Sequence, residues 1–235
     1  MLRLLALISC LLVLGLAACG DDEDSGSPES GNGGSAAGGE KAAENPAGGG
    51  CREVEAPQPK PDGGAKRPSG RLDPGKTYVV VLNTSCGEIS IRLDQKVSPK
   101  TAASFAGLAR SGFFDDTVFH RIVPDFVIQG GDPTGTGTGG PGYSTRDAPP
   151  RDAAYVKGTV AMAKTEVEPA GTSGSQFYIV TAADAGLPPD YALLGQVVQG
   201  QDVVDAIGEL GDPASGGAGT PLQPVVIESA TVEER

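Results

Sequence analysis

Few side chains in this chain are able to do chemistry. There is one histidine, His120, and there are four cysteines. A Ser-His-Asp hydrolase would have to route its proton through His120. The segment Gly171-Thr172-Ser173-Gly174-Ser175 fails the Gly-x-Ser-x-Gly nucleophile elbow at its fifth position. His120 lies between Phe119 and Arg121 in a strand-like run, the setting of a hydrogen-bonded structural histidine. Gly135-Thr136-Gly137-Thr138-Gly139-Gly140 has the glycine content of a phosphate loop. It lacks the Gly-Lys-Ser/Thr ending, and no helix pattern follows it. The cysteines and the histidine lie too far apart for zinc spacing, so no metal and no cofactor is expected. What remains is a cluster with no nucleophile: Arg121, Phe126 and Gln129. The turn signal Pro124-Asp125 sits between the first two, so they would meet across a hairpin.

The run Phe119-His120-Arg121-Ile122-Val123-Pro124-Asp125-Phe126-Val127-Ile128-Gln129-Gly130-Gly131-Asp132 resembles the signature segment of the cyclophilins. Gly171 to Ile179 is similar to their Gly-Ser-Gln-Phe-Phe block. Leu193-Leu194-Gly195-Gln196-Val197 matches a third block, and Pro99-Lys100-Thr101 opens the first family helix. These blocks occur in the family's order and span about 78–232. The resemblance implies a peptidyl-prolyl cis/trans isomerase, with Arg121, Phe126 and Gln129 as the catalytic residues. It implies that Phe126, Val127, Tyr178 and Leu187 wall a proline pocket, that Ala163, Lys164 and Gln176 line the groove for the residues before proline, partly through main-chain groups, and that Tyr191 also contacts substrate. Four positions depart from the best-known eukaryotic members: Gly186 replaces a tryptophan, Tyr191 a histidine, Lys164 an asparagine and Val127 a methionine. Loss of the tryptophan removes contact surface and an indole donor, which implies weak cyclosporin binding.

The implied reaction suits those residue types. Resonance gives the peptide C–N bond a rotational barrier of ~18–20 kcal/mol, and X–Pro bonds exchange in ~10–100 s unaided. A catalyst needs no base; it must bind the twisted amide better than either planar isomer. Twisting leaves a lone pair on the prolyl nitrogen. A fixed guanidinium aimed there is selective for the twisted state, and lysine would be a poor substitute. The alternative is a module or chaperone that holds proline-containing segments, with catalysis incidental.

Strands and two helices must position these groups. Tyr78–Leu82 is a β-branched and aromatic run. Glu88-Ile89-Ser90-Ile91-Arg92-Leu93-Asp94 alternates without fault, so one face is buried. Further strands are expected at 117–122, 126–129, 158–163, 176–181, 193–198 and 225–232. A helix should start at Pro99 with Ser98 as its cap and end near Gly112. A second is expected over 201–209. Short strands with glycine-rich turns point to a mainly β fold. With the family resemblance, the expectation is a closed eight-stranded antiparallel barrel capped by two α-helices.

The rest of the chain says where the domain works. It has 235 residues, 36 glycines, no tryptophan and a net charge of −12. That balance excludes general nucleic-acid binding, which needs a basic footprint. Arg3 precedes an uncharged run, Leu4 to Ala18, shorter than the ~20 residues of a membrane-spanning helix. The run ends in Leu16-Ala17-Ala18-Cys19, which resembles a bacterial lipobox; a conventional signal peptide is the alternative. The expected division is a lipoprotein signal peptide over 1–18, a lipid-anchored Gly/Pro/acid-rich linker over 19–76 with Cys19 carrying the lipid, and an isomerase domain over 77–235. Residues 56–70 read as a stiffer polyproline stretch. Cys51 and Cys86 then remain as a disulfide or as two free thiols. The expected partners are proline-containing polypeptides and, through the lipid, a membrane. The protein would sit outside the cytoplasm in the cell envelope, as a monomer.

Overall fold

The computed structural model describes residues 50–235. The expected signal peptide over 1–18, the expected lipid site Cys19 and the linker as far as residue 49 lie outside the described residues. Eleven strands and two α-helices follow in order. β1 (Tyr78–Thr84) and β2 (Gly87–Leu93) form a hairpin, and α1 (Pro99–Arg110) follows. Next come β3 (Thr117–Val118), β4 (Arg121–Val123), β5 (Val127–Gly130) and β6 (Thr145–Arg146). β7 (Thr159–Met162), β8 (Thr172–Ser173), β9 (Phe177–Val180) and β10 (Leu193–Gln199) lead to α2 (Gln201–Gly208). A 3-10 turn (Pro213–Ala218) and β11 (Val226–Glu234) complete the chain.

Nine strands form one antiparallel sheet in the order β3-β11-β1-β2-β10-β7-β9-β5-β4, and β6 pairs with β8 apart from it. The sheet curls into a half-barrel. It is neither eight-stranded nor closed, which corrects the expectation. The run expected as one strand over 117–122 breaks at Phe119-His120. Its first part ladders with β11 and its second with β5. Two consecutive pieces of one run cannot pair with each other, so they become the two edges of the sheet.

Alternation along the strands sorts side chains between two cores. Ile89 and Ile91 of β2, Ile122 of β4, Ile128 of β5, and Phe177 and Ile179 of β9 point into the half-barrel. Phe105 on α1 stacks there edge-on against Phe177 at 5.2 Å and tilted against Phe114 at 4.6 Å. The intervening residues Val127, Tyr178, Val180 and Ala161 point outward into a smaller second cluster with Tyr155.

α1 starts as expected at Pro99, but Ser98 makes no side-chain cap. Asp147 performs that task instead: its Oδ2 accepts from Lys100 N at 2.9 Å and Thr101 N at 2.7 Å. A carboxylate there satisfies orphan donors and favours the positive end of the helix.

Residues 51–76 are laid along the domain as a strap, which corrects the expected linker over that part. Cys51 and Cys86 are disulfide-bonded. Arg52 N donates to Ser85 O at 2.9 Å, Lys60 N to Pro133 O at 2.8 Å and Gly63 N to Gly140 O at 2.9 Å. A polyproline segment has no internal hydrogen bonds, so these amides are free to bond outward to loop carbonyls. Ala65 and Leu72 pack against the main core.

Candidate functional site

The site lies on the outer face of β4, β5, β9 and β7, where register lines up its residues. Arg121 pairs with Gln129, Gln129 with Tyr178, and Tyr178 with Ala161. Because every second residue shares a face, the apolar positions between them fill the half-barrel while these look outward. The β4–β5 turn is tight: Asp125 has φ 53° and Phe126 N donates to Val123 O at 3.2 Å. Aspartate tolerates that left-handed conformation better than most residues.

A cavity of about 280 Å³ is lined by Arg121, Phe126, Val127, Gln129, Ala163, Lys164, Tyr178, Leu187 and Tyr191, with Glu166 added. The structure therefore gathers every substrate or catalytic residue singled out in the sequence except Gln176. Gln176 lies one step away, in an adjoining cavity that also contains Gln129, Ala163 and Lys164.

Arg121 is half-buried, and burial lowers its pKa without threatening its charge. Among the described residues no carboxylate forms an ion pair with it. Its Nε donates to Gly217 O at 3.1 Å, and its Nη1 lies 3.4 Å from Gln129 Oε1, a long contact. Its Cζ is 6.0 Å from the centroid of the Phe126 ring. Gln129 Nε2 donates to Gln176 Oε1 at 3.0 Å, and Gln176 Nε2 donates to Gly139 O at 2.9 Å. A chain of amides thus runs from the guanidinium to the glycine-rich loop.

That loop is not a phosphate cradle. Its amides are already engaged by Asp132, a fully buried carboxylate. Asp132 accepts from Thr134 N at 2.7 Å, Gly137 N at 2.6 Å and Gly139 N at 3.2 Å, and from Thr134 Oγ1 at 2.8 Å. Burial pushes its carboxyl up, but the hydrogen bonds from Thr134, Gly139 and Gly137 outweigh this and leave the pKa below its ordinary value. His120 lies under Gly137. Neither ring nitrogen meets a partner at full hydrogen-bond geometry, although Gln176 approaches closely enough to raise the pKa. Burial lowers its pKa; Asp132 acts against that and Arg121 with it.

Lys164 lines both cavities, with its ammonium engaged inside the protein. Its side chain is 2 % exposed and pairs with Asp190 Oδ2 at 2.6 Å. It also donates to Thr165 O and Glu168 O, both at 3.1 Å, and stands 5.5 Å from the Tyr191 ring centroid. It is a clamp joining the 164–168 loop to the Asp190-Tyr191 corner. The rings of Tyr178 and Tyr191 meet edge-on at 5.6 Å. Burial raises the pKa of Tyr178, whose hydroxyl is buried without a partner. Tyr191 is held through its backbone: its N–H donates to the Tyr155 hydroxyl at 3.0 Å, and that hydroxyl donates to Tyr191 O at 2.6 Å.

Sequence reasoning missed Tyr155, Gly217 and Gly219. Tyr155 sits in an irregular stretch, with no periodicity to reveal it. Gly217 contributes only a carbonyl. Gly219 has φ +66°, and a Cβ there would lie 2.7 Å from Val123 Cγ2 and 2.8 Å from Arg121 Cγ. Its carbonyl accepts from Ile122 N at 2.7 Å. Glycine at this position lets the 213–219 turn lie against β4 and hold Arg121.

Residues 79–232 match the family described as cyclophilin type peptidyl-prolyl cis-trans isomerase. The peptidyl-prolyl cis-trans isomerase A of Mycobacterium tuberculosis is 39 % identical over 176 residues, covering 68 % of this chain and 94 % of that relative. Isomerase B of Streptomyces anulatus is 37 % identical over 171 residues, covering 66 % and 95 %. Among solved structures, a cyclophilin type isomerase of Cryptosporidium parvum, determined in the presence of the dipeptide Ala-Pro, superposes with a TM-score of 0.60. It is 28 % identical and covers 67 % of this chain and 99 % of that one.

Proposed function

This chain belongs to the cyclophilin-type peptidyl-prolyl cis-trans isomerase family, and from that premise we propose that it isomerises X–Pro bonds of exported polypeptides through the cavity at Arg121. The observation that carries the mechanism is the guanidinium itself: half-buried, held by Gly217 O, and without a carboxylate partner among the described residues. The proline ring enters between Phe126, Val127, Tyr178 and Leu187. Rotation breaks amide resonance, and the prolyl nitrogen gains a lone pair. An Arg121 N–H donates to that lone pair only in the twisted state, so the contact lowers the barrier and not the ground state. Gln129 orients the guanidinium through its carbonyl, and its amide retains a second N–H for the substrate backbone. No proton is transferred and no cofactor enters. Lys164 and Tyr155 act as positioning residues, fixing Tyr191.

Location and tethering belong to the same reading. Residues 1–18 export the chain, Cys19 takes the lipid, and the acidic stretch spaces a monomeric domain from the membrane, where unfolded clients emerge. The apolar run, the lipobox-like ending and the hydrophilic stretch beyond it support this.

Exchange spectroscopy by NMR on a proline peptide tests the reaction. The full chain should accelerate cis/trans exchange, and Arg121→Ala should lower kcat/KM about 10²–10³-fold, the loss typical of one oriented transition-state donor. Equal rates for the two proteins would overturn the catalytic assignment. Peptide binding without acceleration by the wild type would make the domain a binding module.

A further inference from the structure

Beyond the two cavities at Arg121 and Gln176 lies a third, of about 750 Å³, between the strap, the start of α1 and the segments around Ser144 and Pro169. Four cations line it: Arg67 and Arg71 from the strap, Lys100 from α1, and Arg146 from β6. Among the described residues none of them forms an ion pair. Arg67 spends one donor on Ser144 O and lies 5.2 Å from the centroid of the Tyr143 ring. Arg146 spends its Nε on Ala170 O at 3.0 Å. The side chains of Lys100 and Arg71 make no hydrogen bond within the described residues. The carboxylate of the groove, Glu168, is occupied by Thr165, accepting from its N–H at 2.7 Å and its hydroxyl at 2.9 Å. In a chain of net charge −12, four unpaired cations around one groove form a local exception that would attract anionic groups.

The groove shares walls with the cavities of the site. Glu168 lines both it and the cavity around Gln176, and Gln129, Ala163 and Lys164 line both that cavity and the one at Arg121. We propose that this groove is a second substrate site, which takes acidic side chains on the N-terminal side of a proline seated at Arg121. The inference rests on the isomerase reading and adds a substrate class: segments in which carboxylates precede the proline. An extended chain advances ~3.3–3.6 Å per residue, so a few residues upstream of the proline carry it from one cavity into the next. These shared walls, linking the cationic groove to the proline pocket through the cavity at Gln176, favour a substrate over the chain's own N-terminal acids as occupant.

The test compares two peptides with the full chain. One carries three glutamates four to eight residues before a single proline; the other carries glutamines there. At low salt the glutamate peptide should show about three- to tenfold higher kcat/KM, the scale of a few exposed ion pairs. The preference should vanish near 1 M salt, where the screening length is ~3 Å. The pair of substitutions Arg71→Gln and Lys100→Gln should abolish it and leave turnover of the glutamine peptide unchanged. Equal kcat/KM for both peptides in the wild type would overturn the proposal, as would a preference that survives the double substitution. A preference seen only after excision of residues 20–44 would assign the groove to that segment and equally overturn substrate capture. If neither peptide is isomerised, the isomerase reading fails instead. Titration of both peptides against Arg121→Ala then decides the groove by affinity alone, a glutamate advantage supporting it and parity overturning it.

Discussion

Arg121 shows what a single residue asks of its surroundings. A guanidinium held away from carboxylates gives up stability for reactivity, because a local acid would neutralise the field meant for the substrate. Arg121→Lys therefore should lower kcat/KM about 10²-fold while the melting temperature stays close to wild type. A compact ammonium cannot reach Gly217 O and the prolyl nitrogen together. Peptide kinetics paired with a thermal melt check both halves. His120 makes a second prediction. Its folded pKa lies below the ordinary value of 6.5 because of burial. As pH falls through 6.5, the unfolded chain takes up a proton that the folded one refuses. Stability from this group is full above about pH 6.5 and declines toward the lowered folded pKa. It is the sole histidine in the chain, so no other side chain of ordinary pKa titrates there. The melting temperature should fall from pH 7.5 to 5.5, and His120→Gln should flatten that slope. An unchanged slope in the variant would show that the imidazole is not the titrating group.

Among the elements, the 213–219 turn links architecture to catalysis. Gly219→Ala introduces a Cβ into a left-handed position already crowded by Val123 and Arg121. The expected result is a displaced guanidinium and a loss of kcat/KM on the order of tenfold or more, read in the same exchange experiment with KM little changed. This turn was not legible in the sequence, since what it offers is a carbonyl and a backbone conformation. The strands around it were legible. Faultless alternation over 88–94 and the shared outer face of Val127 and Gln129 follow from a period of two. β6 and β8 are two residues each, too short for any period to register. The cap of α1 is not local in sequence: Asp147 accepts the N–H of Thr101 from 46 residues away. The break at Phe119-His120, which makes nine strands from an expected eight, is set by tertiary pairing on two different edges. The residues named for the site line one cavity in spite of these differences, because the motif fixes their order in the chain independently of where the strands end.

For the whole molecule, the strap changes what the isomerase domain is. Residues 51–76 belong to its packed body, tied by the Cys51–Cys86 disulfide and the contacts of Ala65 and Leu72. The disulfide closes a loop with a sequence separation of 35, for which chain entropy suggests about 3–4 kcal/mol of stabilisation. Cys51→Ser with Cys86→Ser should lower the unfolding free energy by that amount in denaturant melts, with turnover of a neutral peptide retained. Cys19→Ser should move the protein from the membrane to the soluble fraction of the cell envelope; retention in the membrane would count against the lipid anchor.

The cross-link also decides how the domain meets mechanical load. Any pull applied to the chain ahead of Cys51 passes through sulfur into the β1–β2 turn at Cys86, bypassing the residues in between. The hydrogen bonds of the strap, and the wall it gives the cationic groove at Arg67 and Arg71, then carry no tension. A domain anchored as proposed can therefore be tugged from its N-terminal side while the strap keeps its place against the loops it is bonded to.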